Sequence, residues 1–343
     1  MLKPLLVDRM RTLGPLSIEE YMAQCLYHPD YGYYGNCFSI GHQGDFVTAP
    51  EISSLFGMTI RGALEVLAKD YPYKKARLVD LGGGRGTLMK DMIEGEGKGV
   101  PDRDHYIVET SSFLRSIQKE TLKNFAVQWV EDLPTLFSYS EGQPLLVVAN
   151  EFFDAFPIRQ HIFKDSTWKE RIVDVTPQGT FYFSTREADF IPNAAYPLPT
   201  EGVYLEDSPR ACEYFKELLR YLKAYGGILI LVDYGYTNFL YGDTFQAIEN
   251  HQYADPLENP GLQDLTAHIN FKAFIHIAHS MGLRTLPLMT QQEFLRHYGL
   301  EYYLLKGWDS LDGLAKKVAM EALRKLTDPT GMGSLFKVLI IVE

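Results

Sequence analysis

The sequence predicts an α/β fold built on a mostly parallel sheet. Five short and strongly apolar segments alternate with segments of helical periodicity, and they lie at residues 77–81, 105–109, 127–130, 144–150 and 227–233. Short strands that are apolar throughout are typical of a parallel sheet covered by helices on both faces. A last apolar segment, 336–342, predicts one further strand, either at the sheet edge or beside the fifth strand.

Residues 1–75, which precede the sheet, are predicted to be mainly helical. Two capping-box sequences, 17–20 and 48–51, predict the starts of helices that extend to about Leu26 and toward Ala68. In such a box a Ser or Thr caps the first turn and an acidic side chain three residues later caps it in return. The sequence therefore predicts a helical N-terminal region before the α/β core.

Two stretches interrupt the strand and helix alternation. Residues 159–184 alternate apolar and polar side chains around a turn sequence at 176–179, which predicts one or two antiparallel hairpins. Residues 236–263 are rich in Pro, Asn, Asp and Gly, which predicts a long irregular loop. We therefore expect one elaborated domain with three parts: an N-terminal region (1–75), a core (76–158 and 206–343) and an inserted antiparallel β region (159–205).

The composition favours some classes of protein and excludes others. The 343 residues carry 33 Lys and Arg against 44 Asp and Glu, a net charge of −11, which argues against a nucleic-acid-binding surface. Three scattered cysteines, Cys25, Cys37 and Cys212, form neither a disulfide framework nor a zinc site. No apolar run approaches the roughly 20 residues that span a bilayer. We expect a cytoplasmic protein without a membrane span.

A glycine-rich loop follows the first predicted strand. Glycines stand at every second position, Gly82, Gly84 and Gly86, after the acidic Asp80 and before a helix that begins near Thr87. Glycines permit a tight turn close to a ligand, and the free N–H groups at a helix start attract anions. A dinucleotide loop has the spacing G-x-G-x-x-G, which would require glycine at position 87. The spacing therefore argues against an NAD-linked oxidoreductase.

A pair of carboxylates stands where the fourth predicted strand ends. Glu151 and Asp154 lie between phenylalanines, and ligands of open α/β sheets bind at the carboxyl ends of the strands. A buried carboxylate needs a partner, and two of them suit the planar donors of a guanidinium. The alternative is local: Asn150, Glu151 and Asp154 cap the next helix and pair with Arg159.

The motifs together resemble one known family. The glycine spacing resembles motif I of class I S-adenosylmethionine-dependent methyltransferases. The whole ordered set resembles the MidA family, from about residue 5 to the last strand, and its segments are 21–22, 28–34, 44–53, 80–86, 150–157, 233–236 and 264–271. This family includes bacterial proteins and the mitochondrial protein arginine methyltransferase that assists assembly of respiratory complex I.

The resemblance implies a Rossmann-like class I methyltransferase sheet, mostly parallel with an antiparallel strand, and S-adenosyl-L-methionine as cofactor. It implies a protein substrate, an arginine guanidinium as acceptor and possible action on a respiratory complex subunit. Methyltransferases of adenine or of glutamine amides carry N-P-P-Y at this point, and the lack of Pro-Pro-Tyr after Asn150 argues against those substrates. The sequence shows no mitochondrial presequence, so we expect a bacterial cytoplasmic protein. A non-catalytic assembly factor that binds the cofactor and docks a partner is the alternative.

The resemblance also implies site residues. The residues expected to bind the cofactor, with Glu109 at its ribose hydroxyls, are Asp45, Thr48, Pro50, Glu51, Asp80, Gly82, Gly84, Gly86, Glu109 and Asn150. The expected catalytic residues are Glu151, Asp154 and His268, the last as a proton acceptor. Plain roles as turn, cap or structural residues stay open for Asp45, Thr48, Glu51 and His268. Asn270 stands where the family carries Asp, and no metal site is expected at His276 and His279.

Overall fold

The computed structural model describes residues 1–36, 48–69, 76–94, 104–190, 192, 196–238, 241–249, 252–309 and 311–343. Asp45 and Cys37, which the sequence analysis singled out, lie outside the described residues. The described chain has a mixed α/β fold with a mostly parallel central sheet and additional antiparallel strands, as predicted. No helix of the described part of the chain is long and apolar enough to cross a membrane.

The helices of the described residues run in the following chain order. They are α1 (Leu2–Leu13), α2 (Ile18–Tyr27), α3 (Tyr33–Asn36), α4 (Ala49–Ile52), α5 (Ser54–Ala68), α6 (Thr87–Glu94), α7 (Ser112–Thr121), α8 (Leu133–Ser140), α9 (Pro209–Tyr225), α10 (Phe271–Ser280), α11 (Gln291–His297), α12 (Leu300–Trp308), α13 (Gly313–Thr327) and α14 (Met332–Leu335).

The strands of the described residues are numbered in the same way. They are β1 (Leu16–Ser17), β2 (Arg77–Leu81), β3 (His105–Val108), β4 (Val127–Val130), β5 (Leu145–Asn150), β6 (Arg159–Lys164), β7 (Thr167–Val175), β8 (Phe181–Glu187), β9 (Tyr204–Asp207), β10 (Gly227–Tyr236), β11 (Gln246–Glu249), β12 (Gln252–Ala254), β13 (Asp264–Thr266), β14 (Ile269–Asn270), β15 (Arg284–Thr285), β16 (Met289–Thr290) and β17 (Phe336–Val342).

The central sheet has the order β15-β17-β10-β5-β2-β3-β4. Strands β4, β3, β2, β5 and β10 are parallel to one another, and β17 pairs antiparallel with β10. The last apolar segment thus lies beside the fifth predicted strand, which was one of its two expected positions. The strand order reverses between β2 and β5, and ligands of such sheets bind beyond the carboxyl ends at this point.

The buried strands explain why this sheet forms. All six residues of β5 are buried, and so are the first eight of β10. Side chains alternate between the two faces of a strand, so Val148 and Ile230 enter one core while Val147 and Leu229 enter the other. Helices cover both faces, because a sheet that is apolar on both sides must be shielded from water on both sides.

A second sheet combines the predicted insertion with the N-terminal region. Strands β6, β7, β8 and β9 are antiparallel, and the turn predicted at 176–179 joins β7 to β8. The two-residue strand β1 adds to β7, with Leu16 opposite Val173. The hairpin prediction is confirmed, whereas the pairing with β1 has no signal in the sequence because a two-residue strand carries no periodicity.

The stretch 236–263 is more regular than its composition predicts. The described residues there include β11 and β12, which pair antiparallel, and β11 also pairs with β13. The expectation of an irregular loop is therefore wrong for this part of the stretch. Strands of three or four residues are too short to show the alternation on which the prediction depended.

The two predicted capping boxes have different outcomes. At Ser17 the box forms, because the Glu20 N–H donates to Ser17 Oγ at 3.0 Å and the Ser17 N–H donates to the Glu20 carboxylate at 2.9 Å. At Thr48 the prediction is wrong, since no side-chain cap is made and α4 ends at Ile52. Helix α5 starts afresh after Ser53, whose hydroxyl accepts from the N–H of the second residue of that helix.

Candidate functional site

A cavity of about 820 Å³ lies at the carboxyl ends of β2, β3, β5 and β10. Its wall includes parts of the glycine loop, of α4 and of the segment after β5. It therefore lies at the reversal of strand order. This is the position at which the fold is expected to bind a ligand.

The glycine loop forms one side of the cavity. Gly82, Gly84 and Gly86 have φ values of +65°, +51° and +85°, which side chains rarely adopt. A β-carbon on Gly82 would lie 2.7 Å from the Phe152 ring, whereas one on Gly84 would meet nothing within 4 Å. Gly84 therefore borders open space with its backbone, which fits a loop built for close approach of a ligand.

Gly86 is not among the described residues that line the cavity. It lies against α7, where a β-carbon would be 3.1 Å from Leu122 Cδ1 and 3.4 Å from the Cα of Gln118. The Gly86 N–H donates to the Gly83 carbonyl at 2.7 Å and so closes the turn. Gly86 thus supports the glycine loop where the loop packs on α7.

Gln118, which the sequence analysis did not identify, connects the glycine loop to the next strand. Its buried amide nitrogen donates to the Gly84 carbonyl at 2.9 Å and to the Glu109 carboxylate at 3.2 Å. Its amide oxygen accepts from Trp129 Nε1 at 2.9 Å. No motif could reveal this residue, because its partners come from three separate segments.

Glu109 follows β3 and lies on the cavity wall. One carboxylate oxygen accepts from the Ser111 N–H at 2.9 Å, and the other accepts from Gln118. Burial raises the pKa of Glu109, while these hydrogen bonds oppose that change. The carboxylate is therefore oriented by its neighbours at the carboxyl end of β3.

Asp80, at the end of β2, is only 1% exposed. Its Oδ2 atom has no hydrogen-bond partner among the described residues. Burial raises the pKa of Asp80 to about 8, and the charge of Glu109 adds to this effect. A buried, unpaired carboxyl beside an open glycine loop fits a site that a polar ligand completes. The residues present therefore fit a nucleoside cofactor with a charged amino-acid end.

Helix α4 lies next to the glycine loop on the cavity wall. Thr48, Pro50 and Glu51 line the cavity, and the Glu51 carboxylate accepts from the Thr87 hydroxyl at the start of α6. The Ala49 N–H donates to the Glu151 carboxylate at 3.4 Å. This short helix therefore contacts both the loop after β2 and the loop after β5.

Glu151 faces the cavity from a strained backbone position. Its φ is +50°, which is unusual for a residue with a side chain and is typical of functional sites. The Asn150 amide donates to the Glu151 carboxylate at 3.2 Å, and Asn150 also lines the cavity. Burial raises the pKa of Glu151 to about 7, with a further contribution from the charge of Asp154.

Asp154 lies beside Glu151 and is 6% exposed. Burial raises its pKa to about 6, and its Oδ1 atom has no hydrogen-bond partner in the described part of the chain. The buried Asp233 carboxylate accepts from the N–H groups of Phe153 and Asp154 at 3.1 and 3.3 Å. Asp233 therefore holds the backbone of this loop, which presents Glu151 and Asp154 to the cavity.

The local alternative for these carboxylates finds no support in the contacts. Arg159 donates to Glu19 at 2.6 Å, and no helix begins within the segment that follows β5. Glu19 also accepts from Arg210 at 2.7 Å. Arg159 is thus not the partner of Glu151 or Asp154.

The structure does not bring His268 to the cavity. Its half-buried ring packs edge-on against the ring of Tyr234, at 5.4 Å between centroids, and Tyr234 lines the cavity. Burial lowers the pKa of His268, and the charge of Lys337 adds to this effect. The imidazole therefore lies one layer behind the wall. The adjacent Asn270 caps α10 by accepting from the Ala273 N–H at 3.1 Å.

Two tyrosines of the N-terminal region complete the wall. The Tyr34 hydroxyl donates to Asp264 at 3.1 Å, and the Tyr27 hydroxyl donates to the Ala155 carbonyl at 2.8 Å. Both tyrosines come from the tyrosine-rich segment around residue 30, and burial raises the pKa of Tyr34 well above its usual range. Sequence position alone cannot assign them, because they reach the cavity through contacts with residues more than a hundred positions away.

This fold and this site define a class of protein. A Rossmann-like sheet with a glycine loop after β2, a carboxylate after β3 and acidic residues after β5 is the arrangement of a cofactor-dependent class I methyltransferase. In agreement, residues 62–289 match the model of a family described as "Putative S-adenosyl-L-methionine-dependent methyltransferase".

Individual relatives extend over nearly the whole chain. A Caenorhabditis elegans protein named protein arginine methyltransferase NDUFAF7 homolog, mitochondrial, is 32% identical over 88% of this chain and 77% of its own. The Xenopus tropicalis protein arginine methyltransferase NDUFAF7, mitochondrial, is 29% identical over 98% of this chain and 84% of its own.

A solved structure is also similar to this chain over its whole length. The COG1565 superfamily member from Burkholderia thailandensis, bound to S-adenosyl-homocysteine, superposes with a TM-score of 0.89. The two sequences are 27% identical over 100% of this chain and 92% of that chain. The chain belongs to this family of S-adenosyl-L-methionine-dependent methyltransferases, and S-adenosyl-L-methionine is its cofactor.

Proposed function

We propose that the protein methylates an arginine side chain of a protein, with Glu151 and Asp154 binding the guanidinium. The observation that carries this proposal is the pair of carboxyl groups on the loop after β5, the buried Asp154 and the half-buried Glu151, which both line the cavity. The curated relatives, which are named protein arginine methyltransferases, support it. We also propose the cofactor-binding role of the glycine loop, α4, Asp80, Glu109 and Asn150.

The charge of the cavity wall supports a cationic acceptor. Among the described residues, acidic side chains on the wall outnumber arginines by eight to two. The acidic side chains are Glu51, Asp80, Glu109, Glu131, Asp132, Glu151, Asp154 and Asp264, and the arginines are Arg85 and Arg210. Burying carboxylates together costs free energy that a bound cation offsets. A positively charged side chain is therefore the acceptor that this wall favours.

The aromatic residues of the wall favour a guanidinium over an ammonium as the acceptor. Phe152, Phe156 and Tyr214 lie in contact with one another beside the carboxylates and line the cavity. A planar guanidinium stacks flat on aromatic rings and offers donors in a rigid fork that matches a carboxylate, whereas an ammonium is a compact charge without a flat face. Phe153 turns instead into the core, where it is 3% exposed.

The cofactor and the protein have separate roles in the proposed reaction. When bound, the cofactor supplies a methyl group on a positively charged sulfur, ready for a single displacement. A guanidinium is a weak nucleophile, so orientation of its nitrogen and stabilisation of its charge are the main tasks of the protein. In this proposal, ionised Glu151 and Asp154 accept its N–H groups, and Asp154 takes the proton that the methylated nitrogen releases.

The partner and compartment are also proposals. We propose that the acceptor is a protein, in line with the names of the relatives. A respiratory complex subunit and action in a bacterial cytoplasm are the specific forms of this proposal. Both follow from the resemblance to a family whose mitochondrial member assists complex I assembly.

The test is a comparison of host proteomes with and without the gene. Peptide mass spectrometry should find arginines that lose one or two methyl groups when the gene is deleted. Wild type and Glu131→Gln should restore them, whereas Glu151→Gln should not. Glu131 is a matched control because it lines the same cavity, is 67% exposed in its side chain and pairs with Arg115.

Two outcomes would contradict the proposal. If lysines or other side chains change instead of arginines, the acceptor assignment is wrong. If Glu151→Gln restores methylation as well as wild type does, the role of the carboxylates is wrong. Binding of S-adenosylhomocysteine without any methyl transfer would support the alternative, a cofactor-binding assembly factor.

A further inference from the structure

Tyr27 is the most exposed of the tyrosines and phenylalanines on the described cavity wall. It is the last residue of α2 and is 44% exposed. The other residues of these two types on the wall are half-buried or buried, and they are Tyr33, Tyr34, Phe152, Phe156, Tyr214 and Tyr234. Tyr27 therefore has more open surface than any of them.

The hydroxyl of Tyr27 already has a partner. It donates to the Ala155 carbonyl at 2.8 Å, and Ala155 directly follows Asp154 in the loop after β5. This hydrogen bond attaches the far end of the ring to the loop that carries the proposed acceptor carboxylates. Because the polar tip of Tyr27 is paired, what the residue offers to a ligand in the cavity is its aromatic ring.

Tyr34 holds the ring of Tyr27 at a second point. The two rings lie 5.7 Å apart between centroids, at an angle of 35° between their planes. Tyr34 is fixed in turn, because its hydroxyl donates to Asp264 at 3.1 Å and its carbonyl accepts from the Ser111 hydroxyl at 2.6 Å. A ring that is held in this way loses little freedom when a ligand stacks on it, so binding costs less entropy.

Carboxyl groups lie at both ends of this pair of tyrosines. Asp154 precedes the residue to which Tyr27 is bonded, and Asp264 is bonded to Tyr34. Both carboxyl groups line the cavity. The face of an aromatic ring attracts positive charge, as carboxylates do. A planar guanidinium can satisfy both, because its N–H groups lie in its plane and its flat face stacks on a ring.

We propose that Tyr27 is a specificity-determining residue, whose ring stacks on the guanidinium of the acceptor while Asp154 accepts its N–H groups. This inference rests on the proposed function, because it assigns the cavity to a guanidinium. It gives the N-terminal region, which lies outside the central sheet, a direct part in the choice of acceptor. An ammonium is a compact charge without a flat face, so the ring favours arginine over lysine.

The experiment is an NMR titration of the protein with butylguanidinium and with butylammonium, in the presence of saturating S-adenosylhomocysteine. The two probes share their charge and alkyl chain, so the ratio of their Kd values isolates the guanidinium. Wild type should bind butylguanidinium more tightly. Tyr27→Leu removes the ring and should weaken binding of butylguanidinium by about tenfold, and that of butylammonium by less.

Tyr27→Phe separates the ring from the hydroxyl. It keeps the ring and removes the hydrogen bond to Ala155. Its affinity for butylguanidinium should lie closer to that of wild type than to that of Tyr27→Leu. If both variants lose affinity equally, the attachment to the loop matters and the stacking does not, and the proposal is wrong.

Tyr31→Leu is the matched control. Tyr31 belongs to the same tyrosine-rich segment and is 42% exposed, but it is not among the described residues that line the cavity. The variant should leave both Kd values unchanged. Equal losses of butylguanidinium affinity in Tyr27→Leu and Tyr31→Leu would overturn the proposal.

A second readout in wild type covers the case in which Tyr27→Leu does not fold. The methylene protons next to the guanidinium should shift upfield on binding, because they enter the shielded region above a ring. They should also show nuclear Overhauser effects to the ring protons of Tyr27, whose signals Tyr27→Phe assigns. A bound probe without these effects would contradict stacking on Tyr27.

The results distinguish this inference from the proposed function. If wild type binds the two probes equally, the guanidinium assignment of the proposed function is wrong. If wild type prefers butylguanidinium and Tyr27→Leu keeps that preference, the proposed function stands and the role of Tyr27 is wrong. Calorimetry should show the same affinity of wild type and Tyr27→Leu for S-adenosylhomocysteine. A loss of cofactor affinity with an unchanged probe preference would contradict the proposal, since it would assign Tyr27 to the cofactor.

Discussion

The ring of Phe152 lies directly against Gly82, where a β-carbon would come within 2.7 Å of Phe152 Cδ2. Gly82 belongs to the glycine loop after β2, and Phe152 belongs to the loop after β5, between Glu151 and Asp154. The two loops of the site therefore touch without an intervening residue. A change in the backbone of one loop must displace the other.

Gly82→Ala should accordingly impair both loops. The substitution places a side chain at φ +65°, which costs about 1–2 kcal/mol, and forces the β-carbon into the Phe152 ring. We expect S-adenosylhomocysteine to bind at least roughly tenfold more weakly, since tenfold corresponds to about 1.4 kcal/mol. Titration calorimetry measures this affinity.

Gly179→Ala is the control for backbone strain. Gly179 has φ +87° in the turn between β7 and β8, and a β-carbon there would meet nothing within 4 Å. It should lower stability to a similar degree and leave cofactor affinity unchanged. Equal affinity of wild type and Gly82→Ala would show that the Phe152 contact can relax without consequence.

Gln118→Ala should weaken cofactor binding from a distance. It removes the donor shared by the Gly84 carbonyl and Glu109, and it leaves the Trp129 N–H without its acceptor. Each buried group left unpaired costs about 1–3 kcal/mol, so both stability and affinity should fall. Urea unfolding and calorimetry with S-adenosylhomocysteine measure the two effects.

The matched control for Gln118 is Gln128→Ala. Gln128 is exposed on β4 and makes a long 3.4 Å hydrogen bond to the Tyr106 hydroxyl. Gln128→Ala should change neither the free energy of unfolding nor the affinity for S-adenosylhomocysteine measurably. If Gln118→Ala lowered stability but left affinity intact, Gln118 would support the fold alone and would not orient Glu109 or the loop.

Methyl transfer should depend steeply on pH between about 5 and 8, where carboxylates with ordinary pKa values are already ionised. Burial raises the pKa of Glu151 to about 7 and that of Asp154 to about 6. Only the ionised forms accept N–H groups, so activity is absent when both are protonated and rises as pH passes their pKa values. The measurement is the pH profile of kcat/KM, with the acceptor identified by mass spectrometry.

Cofactor binding must be followed over the same pH range. Burial raises the pKa of Asp80 to about 8 and also raises the pKa of Glu109, so both carboxyl groups of the cavity wall titrate above the usual range. Calorimetry with S-adenosylhomocysteine at each pH separates their contribution from that of the acceptor carboxylates. A flat kcat/KM profile at constant cofactor affinity would show that Glu151 and Asp154 do not need to ionise for transfer.

The strands, the glycine loop and the acidic loop could be predicted from the sequence, because each is encoded within a few consecutive residues. Apolar runs identify buried strands, and the spacing of Gly82, Gly84 and Gly86 identifies the loop. Gln118 and Tyr34 could not be predicted, since they act through partners that only the fold brings together. The capping box at Thr48 does not form, because the Glu51 N–H donates to the Thr48 carbonyl and the Glu51 carboxylate accepts from Thr87.

His268 shows the limit of inference from motifs. Its segment resembles a family motif, and that resemblance suggested chemistry at the residue itself. Packing places the imidazole behind Tyr234, so the motif supports the wall of the site through a neighbour. A pattern in a single sequence indicates which segments meet, but the layer in which each side chain lies is set by tertiary contacts.

Burial of Asp91 lowers the free energy of unfolding in a pH-dependent way, and Asp91 has no part in the proposed reaction. It is 5% exposed between α5 and α6, and its Oδ2 atom has no hydrogen-bond partner in the described residues. Burial raises its pKa from 3.8 to about 7, and nearby Glu94 adds to this effect. The folded chain therefore keeps this proton at pH values at which the unfolded chain has lost it.

Asp91→Asn should therefore stabilise the protein more at high pH than at low pH. Because the folded pKa is above the unfolded one, the free energy of unfolding falls as pH rises from about 4 to 7. An amide does not ionise, so the variant should gain up to about 4 kcal/mol over wild type near pH 8 and nothing from this source near pH 4. Urea unfolding at both pH values measures the difference, and the exposed Asp8→Asn is the control. A gain of equal size at both pH values would contradict the prediction, because it would come from the shape of the amide and not from the buried charge.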